Sequence, residues 1–451
     1  MDVKGSAGIL SDLSMTRQQW MVVGLLIALN GLDGFDVLAI TFAAPAVAVE
    51  WQLPPTALGI VLSAGLAGMM LGSLVIGPMS DRLGRRPVVL FCLAVMAAGT
   101  LWSAATADIG LLASSRLLTG VGIGGLLPTM NALVAEFSNT KHRDLNLSLM
   151  VVGYPVGGVI GGLISAHLIE VGGWRMIFYA ASALSLLGLV SAWKLLPESV
   201  DFEQQRASST SDVDGVNRVL AHLKQRLAES LPVERPERQR GTLFGAFAAP
   251  YTRGTSVILA AYLLHALNLY FFISWLPKLL VESGWSQPAA IATATFLNLG
   301  AIAGGVLCGA LSHRLGLDAV LITALGTSSV LAVIFGVFGP SPDFAWILIA
   351  VIGGLHQAGV VGFYALIARF YPPSLRSTGA GAVLGLGRGG AVCGPLLGGA
   401  FLAANFQPQQ VVLIVGFSSA LSALVLVSLR STTAPSINSE AAPHRRAAKP
   451  S

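Results

Sequence analysis

The sequence predicts an all-α integral membrane protein with twelve transmembrane helices in two pseudo-symmetric six-helix halves, and three observations point to it. The 451 residues are 54% hydrophobic and only 11% charged, with a mean hydropathy of +0.73, more apolar surface than a water-soluble core can hide. Apolar runs of at least ~18 residues, enough to cross a bilayer as helix, recur from end to end. A short charged turn between two such runs, Gly77-Pro78-Met79-Ser80-Asp81-Arg82-Leu83-Gly84-Arg85-Arg86-Pro87, returns in worn form as Gly309-Ala310-Leu311-Ser312-His313-Arg314-Leu315-Gly316, with Asp81 and His313 232 positions apart.

Residues 1–19 form a leader with Asp2, Lys4, Asp12 and Arg17 and without an apolar core followed by a small-residue cleavage site, so no signal peptide is expected. The spans are 20–49, 57–78, 88–106, 109–135, 147–169 and 174–196 in the first half. In the second they are 255–280, 289–311, 319–338, 344–370, 379–404 and 411–429. The halves are thus 20–196 and 251–430, joined by a polar linker, 197–250. Within the linker, Val216, Val219, Leu220, Leu223 and Leu227 follow helical spacing and predict an amphipathic cytoplasmic helix near the membrane surface. The tail, 431–451, is rich in Ala, Pro and Ser and is expected to be disordered.

The duplication is testable within the chain itself. Pro45 pairs with Pro277 and Glu50 with Glu282 at an offset of 232; Ala135-x-Phe137 matches Ala368-x-Phe370 at 233. Arg143 pairs with Arg376, and Gly157-x-x-x-Gly161 with Gly390-x-x-x-Gly394, again at 233. Glycines crowd spans 4, 5 and 11, where small residues let helix backbones approach closely. Of 27 Lys and Arg, Arg116 and Arg388 fall inside helices and Arg175 and Lys278 near one face; the other 23 lie on the opposite face or at its edge. Positive loops stay in the cytoplasm, so both termini are expected there, in a multi-pass protein of the inner (plasma) membrane. The net charge of +5 is therefore read as topology, with no nucleic-acid partner expected. Cys92, Cys308 and Cys393 lack ligand spacing and are expected as small buried hydrophobes, with no metal.

An ionisable group in the middle of an apolar helix is a functional candidate, since it costs roughly 2.5–3.5 kcal/mol to insert. Asp33 and Asp36 lie one turn apart in span 1, on one helix face; two carboxylates so close in low dielectric do not both ionise easily, which suits proton coupling. Arg116 in span 4 and Arg388 in span 11 are candidate grips for a substrate carboxylate; pairing with one of the aspartates in the resting protein is the alternative, and the two roles are compatible. The 232 offset places His265 opposite Asp33 and Asn268 opposite Asp36, so a charged wall faces a neutral one. Tyr270 and Trp275 in span 7, and His356, Gln357 and Tyr364 in span 10, are further candidates for binding an aromatic ring and its hydroxyls, with helix packing or lipid contact as the alternative. Glu136, at the end of span 4, is expected to join Asp81, Arg82, Arg85 and Arg376 in a gating charge cluster, with His313 and Arg314 as its second-half counterpart; a solvated helix end is the alternative.

These motifs carry a resemblance. Gly77 to Pro87 resembles the Gly-x-x-x-Asp-Arg-x-Gly-Arg-Arg loop of the major facilitator superfamily, and Arg116-x-x-x-Gly120-x-Gly122-x-Gly124 is similar to its span-4 motif. Asp33-Gly34-Phe35-Asp36, and Arg376-Ser-Thr-Gly379-x-Gly381 leading to Arg388 and Gly394-Pro395-x-x-Gly398-Gly399, resemble signatures of the aromatic acid:proton symporter family. Two departures stand out. The second-half loop has His313 for the acidic residue and Leu317-Asp318 for the two arginines, which implies a weaker or pH-sensitive latch. A motif resembling that of antiporters sits in span 11 rather than span 5, which disfavours efflux. The resemblance implies a symporter importing an aromatic carboxylate such as a benzoate or hydroxybenzoate with protons, by alternating access, as a monomer in the lipid bilayer. The alternatives are a proton-coupled antiporter exporting drugs or metabolites, and a symporter of a non-aromatic acid such as muconate. An integral-membrane enzyme or sensor is disfavoured because no nucleophile motif, His cluster or soluble effector domain is present. No Gly-x-x-x-x-Gly-Lys-Ser/Thr loop occurs, so no nucleotide or other cofactor is expected, and the proton gradient is the expected driving force.

Overall fold

The computed structural model describes residues 9–209, 211–231, 247, 251–339, 343–371 and 375–430. The first six helices are α1 (Arg17–Glu50), α2 (Pro55–Leu83), α3 (Arg85–Ala105), α4 (Ile109–Phe137), α5 (Arg143–Gly172) and α6 (Trp174–Leu195). Two short helices of the linker follow, α7 (Val200–Arg206) and α8 (Asp214–His222). The second set is α9 (Thr252–Glu282), α10 (Gln287–Leu315), α11 (Leu317–Phe338), α12 (Ala345–Phe370), α13 (Arg376–Ala403) and α14 (Pro408–Arg430). Twelve of these are long and apolar enough to cross a membrane, which makes the chain a multi-pass membrane protein. The tail whose disorder the composition predicts lies outside the described residues.

Local signals start and stop the helices where the sequence places them. Thr16 and Gln19 form a reciprocal capping box at the start of α1, and Asp108 accepts from the Leu111 amide at the start of α4. The duplicated charged turn has one backbone solution in both copies. Gly84 (φ 97°, ψ 152°) separates α2 from α3, and Gly316 (φ 82°, ψ 142°) separates α10 from α11, conformations that only glycine adopts without strain.

The halves repeat each other in packing as well. The contacts α2–α4, α1–α5 and α3–α6 recur as α10–α12, α9–α13 and α11–α14. The α1–α5 crossing is so close that a Cβ on Gly157 would strike the backbone of Gly31; its repeat equivalent, Gly390, sits likewise against the carbonyl of Leu263. Backbones this near exchange dispersion contacts that lipid cannot supply.

The two halves meet along α1–α9, α2–α13 and α5–α10. At the face away from the start of α1 and the end of α14 they share one apolar core, in which Phe42, Leu58 and Leu62 pack with Phe271, Trp275 and Ile291. Toward the terminal face each half has a separate core. This conformation is therefore closed on the face opposite the termini.

The linker differs from its expected form. The amphipathic helix ends at His222, because the chain reverses through Lys224 (φ 54°) and the Asn217 side chain pairs with both backbone groups of Ala228. Val216, Val219, Leu220 and Leu223 are buried in the first half's own core, while Leu227 is exposed. Cys92 and Cys308 are buried as expected, but Cys393 is exposed, since α13 turns it away from its neighbours.

The glycine turns yield a stability comparison. A side chain on Gly84 would meet the Glu198 carboxylate and Phe202, whereas one on Gly316 meets open space. Backbone strain of about 1–3 kcal/mol applies to both. Gly84→Ala is expected to lower the unfolding temperature in detergent clearly more than Gly316→Ala, and equal losses would refute the crowding at Gly84.

Candidate functional site

Three helices, α1 and α4 of the first half and α13 of the second, bring the intramembrane charges together. Asp33 and Asp36, on α1, are both fully buried. The Asp36 carboxylate accepts from Arg116 Nη1 at 3.1 Å, and the Asp36 backbone carbonyl accepts from Arg116 Nη2 at 2.8 Å. Thr100 Oγ1 of α3 lies 3.0 Å from Asp36 Oδ2 and 2.7 Å from the Met96 carbonyl, and its single proton serves one of them at a time. The Arg116 guanidinium also stands 5.6 Å from the centre of the Phe178 ring. Arg116 thus takes the alternative role in this conformation, a buried partner of Asp36. It also borders a small cavity of about 10 Å³ between α1, α2, α4 and α9, room for about one water.

Asp33 is placed differently. Neither of its carboxyl oxygens has a hydrogen-bond partner among the described residues. Its charged neighbours are Asp36 and Arg388. Arg388 reaches across from α13 and donates from Nη1 to the Met69 carbonyl of α2 at 3.1 Å, its one hydrogen bond among the described residues. A fork of five N–H donors with one bond made has capacity for a carboxylate. Tyr154 of α5 and Tyr270 of α9 lie within electrostatic reach of both Asp33 and Arg388, and Tyr262 lies near Tyr364, Tyr270 and Arg388.

The neutral wall is less open than its spacing implies. His265 donates from Nε2 to the His356 carbonyl at 3.1 Å, His356 from Nε2 to Asn268 Oδ1 at 2.8 Å, and Asn268 in turn to the Val415 carbonyl at 2.9 Å. All three are buried, so in this conformation they tie α9, α12 and α14 together. Trp275 is likewise buried and donates to the Pro395 carbonyl at 3.0 Å. Gln357 is half-buried and faces α10 near Gly305, while Tyr364 is exposed.

Sequence reasoning missed Tyr154, Tyr262 and Thr100. A signal for two of them lay in the repeat. At its offset Tyr154 falls opposite Gly387, the residue before Arg388, and a Cβ on Gly387 would strike the Tyr262 ring. Each half therefore fills the same crossing with a tyrosine carried on a different helix.

Comparison with known proteins follows this geometry. A profile of the Major Facilitator Superfamily matches residues 23–351 and, in an overlapping match, 258–450. The chain belongs to the Major Facilitator Superfamily. It is similar to the gallate transporter of Pseudomonas putida, with 31% identity and 91% of each chain covered. It is also similar to the 4-hydroxybenzoate transporter PcaK of Acinetobacter baylyi, with 30% identity and 93% of each covered. In fold it resembles a bacterial homolog of the human lysosomal transporter Spinster at a TM-score of 0.72 and 18% identity, covering 93% of this chain and 98% of that one. The superfamily and these relatives are transporters, not enzymes.

In this Major Facilitator Superfamily chain the charged turn is clipped to its own half. Arg85 forms ion pairs with Glu136 at the end of α4 and, at 3.9 Å, with Asp81. Glu136 also accepts from Ser199, and Glu198 accepts from the Arg85 and Arg86 amides at 2.8 and 3.1 Å, capping α3. Beside them, burial pushes the Asp201 carboxyl up, against the pull of Arg85 and Arg143. Arg82 is exposed, and the side chain of Arg376 lies outside the described residues. In the second half His313 and Arg314 are exposed and make no ion pair or hydrogen bond among the described residues. A comparable clip there is Asp318 with Arg369 at 2.6 Å: Arg369 stands at the position of Glu136, and Asp318 at that of Arg86, one residue on from the first half's partner Arg85.

Two predictions rest on these pairs. Removing one partner of a buried ion pair costs about 3–5 kcal/mol. Arg116→Met should therefore cut folded yield and unfolding temperature sharply, with Arg116→Met combined with Asp36→Leu recovering stability; a double variant as unstable as the single one would contradict the pairing. At the clips, Arg85 and Glu136 are 15% and 9% exposed, against 57% and 35% for Arg369 and Asp318. Arg85→Ala is expected to destabilise more than Arg369→Ala, which should cost about 0–1 kcal/mol by chemical denaturation.

Proposed function

We propose that this protein is a secondary active importer that carries an aromatic carboxylate, such as a benzoate or hydroxybenzoate, together with protons. The observation that carries the reading is the meeting, on opposite halves of one bundle, of Arg388, with unused donors, and Asp33, buried without a hydrogen-bond partner among the described residues. The transporters of gallate and 4-hydroxybenzoate named above support the aromatic acid. Two guanidinium groups deep in the membrane favour an anion over the lipophilic cations of an exporter.

In this mechanism the substrate carboxylate takes the open donors of Arg388, neutralising the cation beside Asp33. The carboxylate of Asp33 then loses its one attractive charge, so anion and proton bind together, and each strengthens the other by the same factor. Asp36 is held by Arg116 and Thr100 and serves as the fixed end of the site. Opening and closing requires the shared core opposite the termini to part while the separate cores come together, with Asp81, Arg85 and Glu136 moving as one clipped unit. Both termini lie in the cytoplasm of an inner-membrane protein, and the proton gradient drives uptake without a bound cofactor.

Uptake of labelled 4-hydroxybenzoate into cells expressing the protein should collapse on addition of a protonophore. Asp33→Asn should abolish accumulation yet retain exchange of internal for external substrate, whereas Arg388→Ala should abolish both. Full accumulation by Asp33→Asn would end the proton assignment.

A further inference from the structure

Resting on the aromatic-carboxylate reading above, we infer that Tyr154 is a specificity residue: its phenol hydrogen bonds a hydroxyl on the substrate ring and selects ring-hydroxylated acids over unsubstituted benzoate.

The Tyr154 hydroxyl is buried and has no hydrogen-bond partner among the described residues. Some buried hydroxyls of this bundle are spent on the protein, as where the Tyr371 and Thr255 oxygens lie 2.7 Å apart and Ser182 and Ser422 donate to backbone carbonyls. Those of Ser165, Ser185, Ser328 and Ser419 are unpartnered among the described residues too, and Tyr154 differs from them in facing the intramembrane charges. A buried polar group without a partner is rare in a folded protein and calls for one from outside the chain. The neighbours of Tyr154 say what that partner is. Asp33 offers two carboxyl oxygens, also unpartnered, and Arg388 and Tyr270 complete the group from the other half. A ring hydroxyl is both donor and acceptor, so one such group accepts from Tyr154 while donating to Asp33. The carboxylate of the same molecule falls to Arg388, and the Tyr270 ring provides an aromatic surface.

The phenol is also held in place well enough to read a position. Gly34 lies between the two aspartates, and a Cβ there would collide with the Tyr154 carbonyl. Gly153 and Gly157 bring the flanking backbone of α5 equally close to Ile27 and Gly31 of α1. Tyr154 and Asp33 thus rise from two backbones in contact, and their separation is set by helix packing rather than by a loop.

A site built to hydrogen bond a hydroxyl penalises the analogue without it, because its own polar groups are then left unmet. The test is competition for uptake in proteoliposomes by benzoate, 3-hydroxybenzoate and 4-hydroxybenzoate, read as the affinity ratio of the better hydroxy acid to benzoate within each variant. Using the ratio removes differences in folded amount. In the wild type the ratio is expected to be at least about tenfold, and Tyr154→Phe, which deletes one oxygen, should bring it close to one. A wild type that takes up these acids without preference for a hydroxyl overturns the assignment, whether or not the variant folds. So does a ratio that Tyr154→Phe leaves unchanged. A wild type that takes up none of the three overturns the transport reading itself, and this assignment with it.

Discussion

Inside hydrocarbon a charge needs a partner, and this protein gives one of its two aspartates a partner and withholds it from the other. Asp36 is locked by Arg116 and Thr100; Asp33, one turn earlier on the same helix, has no hydrogen-bond partner among the described residues. The remaining intramembrane cation, Arg388, belongs to the opposite half, so its distance from Asp33 depends on how the halves sit together. A locked pair and an open pair on one helix face are the difference between a structural element and one able to exchange ligands.

The same asymmetry runs through the whole duplicated scaffold. Helix contacts and glycine turns repeat faithfully because they obey backbone geometry, which is the same in both halves. Side-chain chemistry does not repeat. Where the first half carries Asp33 and Asp36, the second carries His265 and Asn268, linked through His356 in a hydrogen-bonded chain that ends on the Val415 carbonyl. At the terminal face each half has a clip between the same two helix ends, but with the charges exchanged and one partner shifted by a residue.

The site was legible only in part. Asp33, Asp36, Arg116 and Arg388 stood out because charges are scarce in apolar helices, and they do converge. His265 and Asn268 were drawn to the cavity by their position in the repeat, and His356 and Trp275 by their chemistry, but each has a carbonyl or amide within reach of its polar atom and turns to it. Tyr154 gave no such alarm, since a tyrosine beside glycine and proline reads as packing until its buried hydroxyl is seen to lack a hydrogen-bond partner among the described residues. Leu227 kept helical spacing beyond the point where Lys224 turns the chain.

By itself the sequence determined what composition, periodicity and repetition control: a membrane-spanning chain, its helices, the two related halves and the few charges that lipid makes conspicuous. Those properties follow from the solvent each residue must enter, which a linear pattern records. Tertiary structure decided which charges are spent on each other and which stay open, and which face of the bundle is shut. Hydrogen bonds and ion pairs form between residues as far apart as Met69 and Arg388, and their making depends on distances that only the packed helices set.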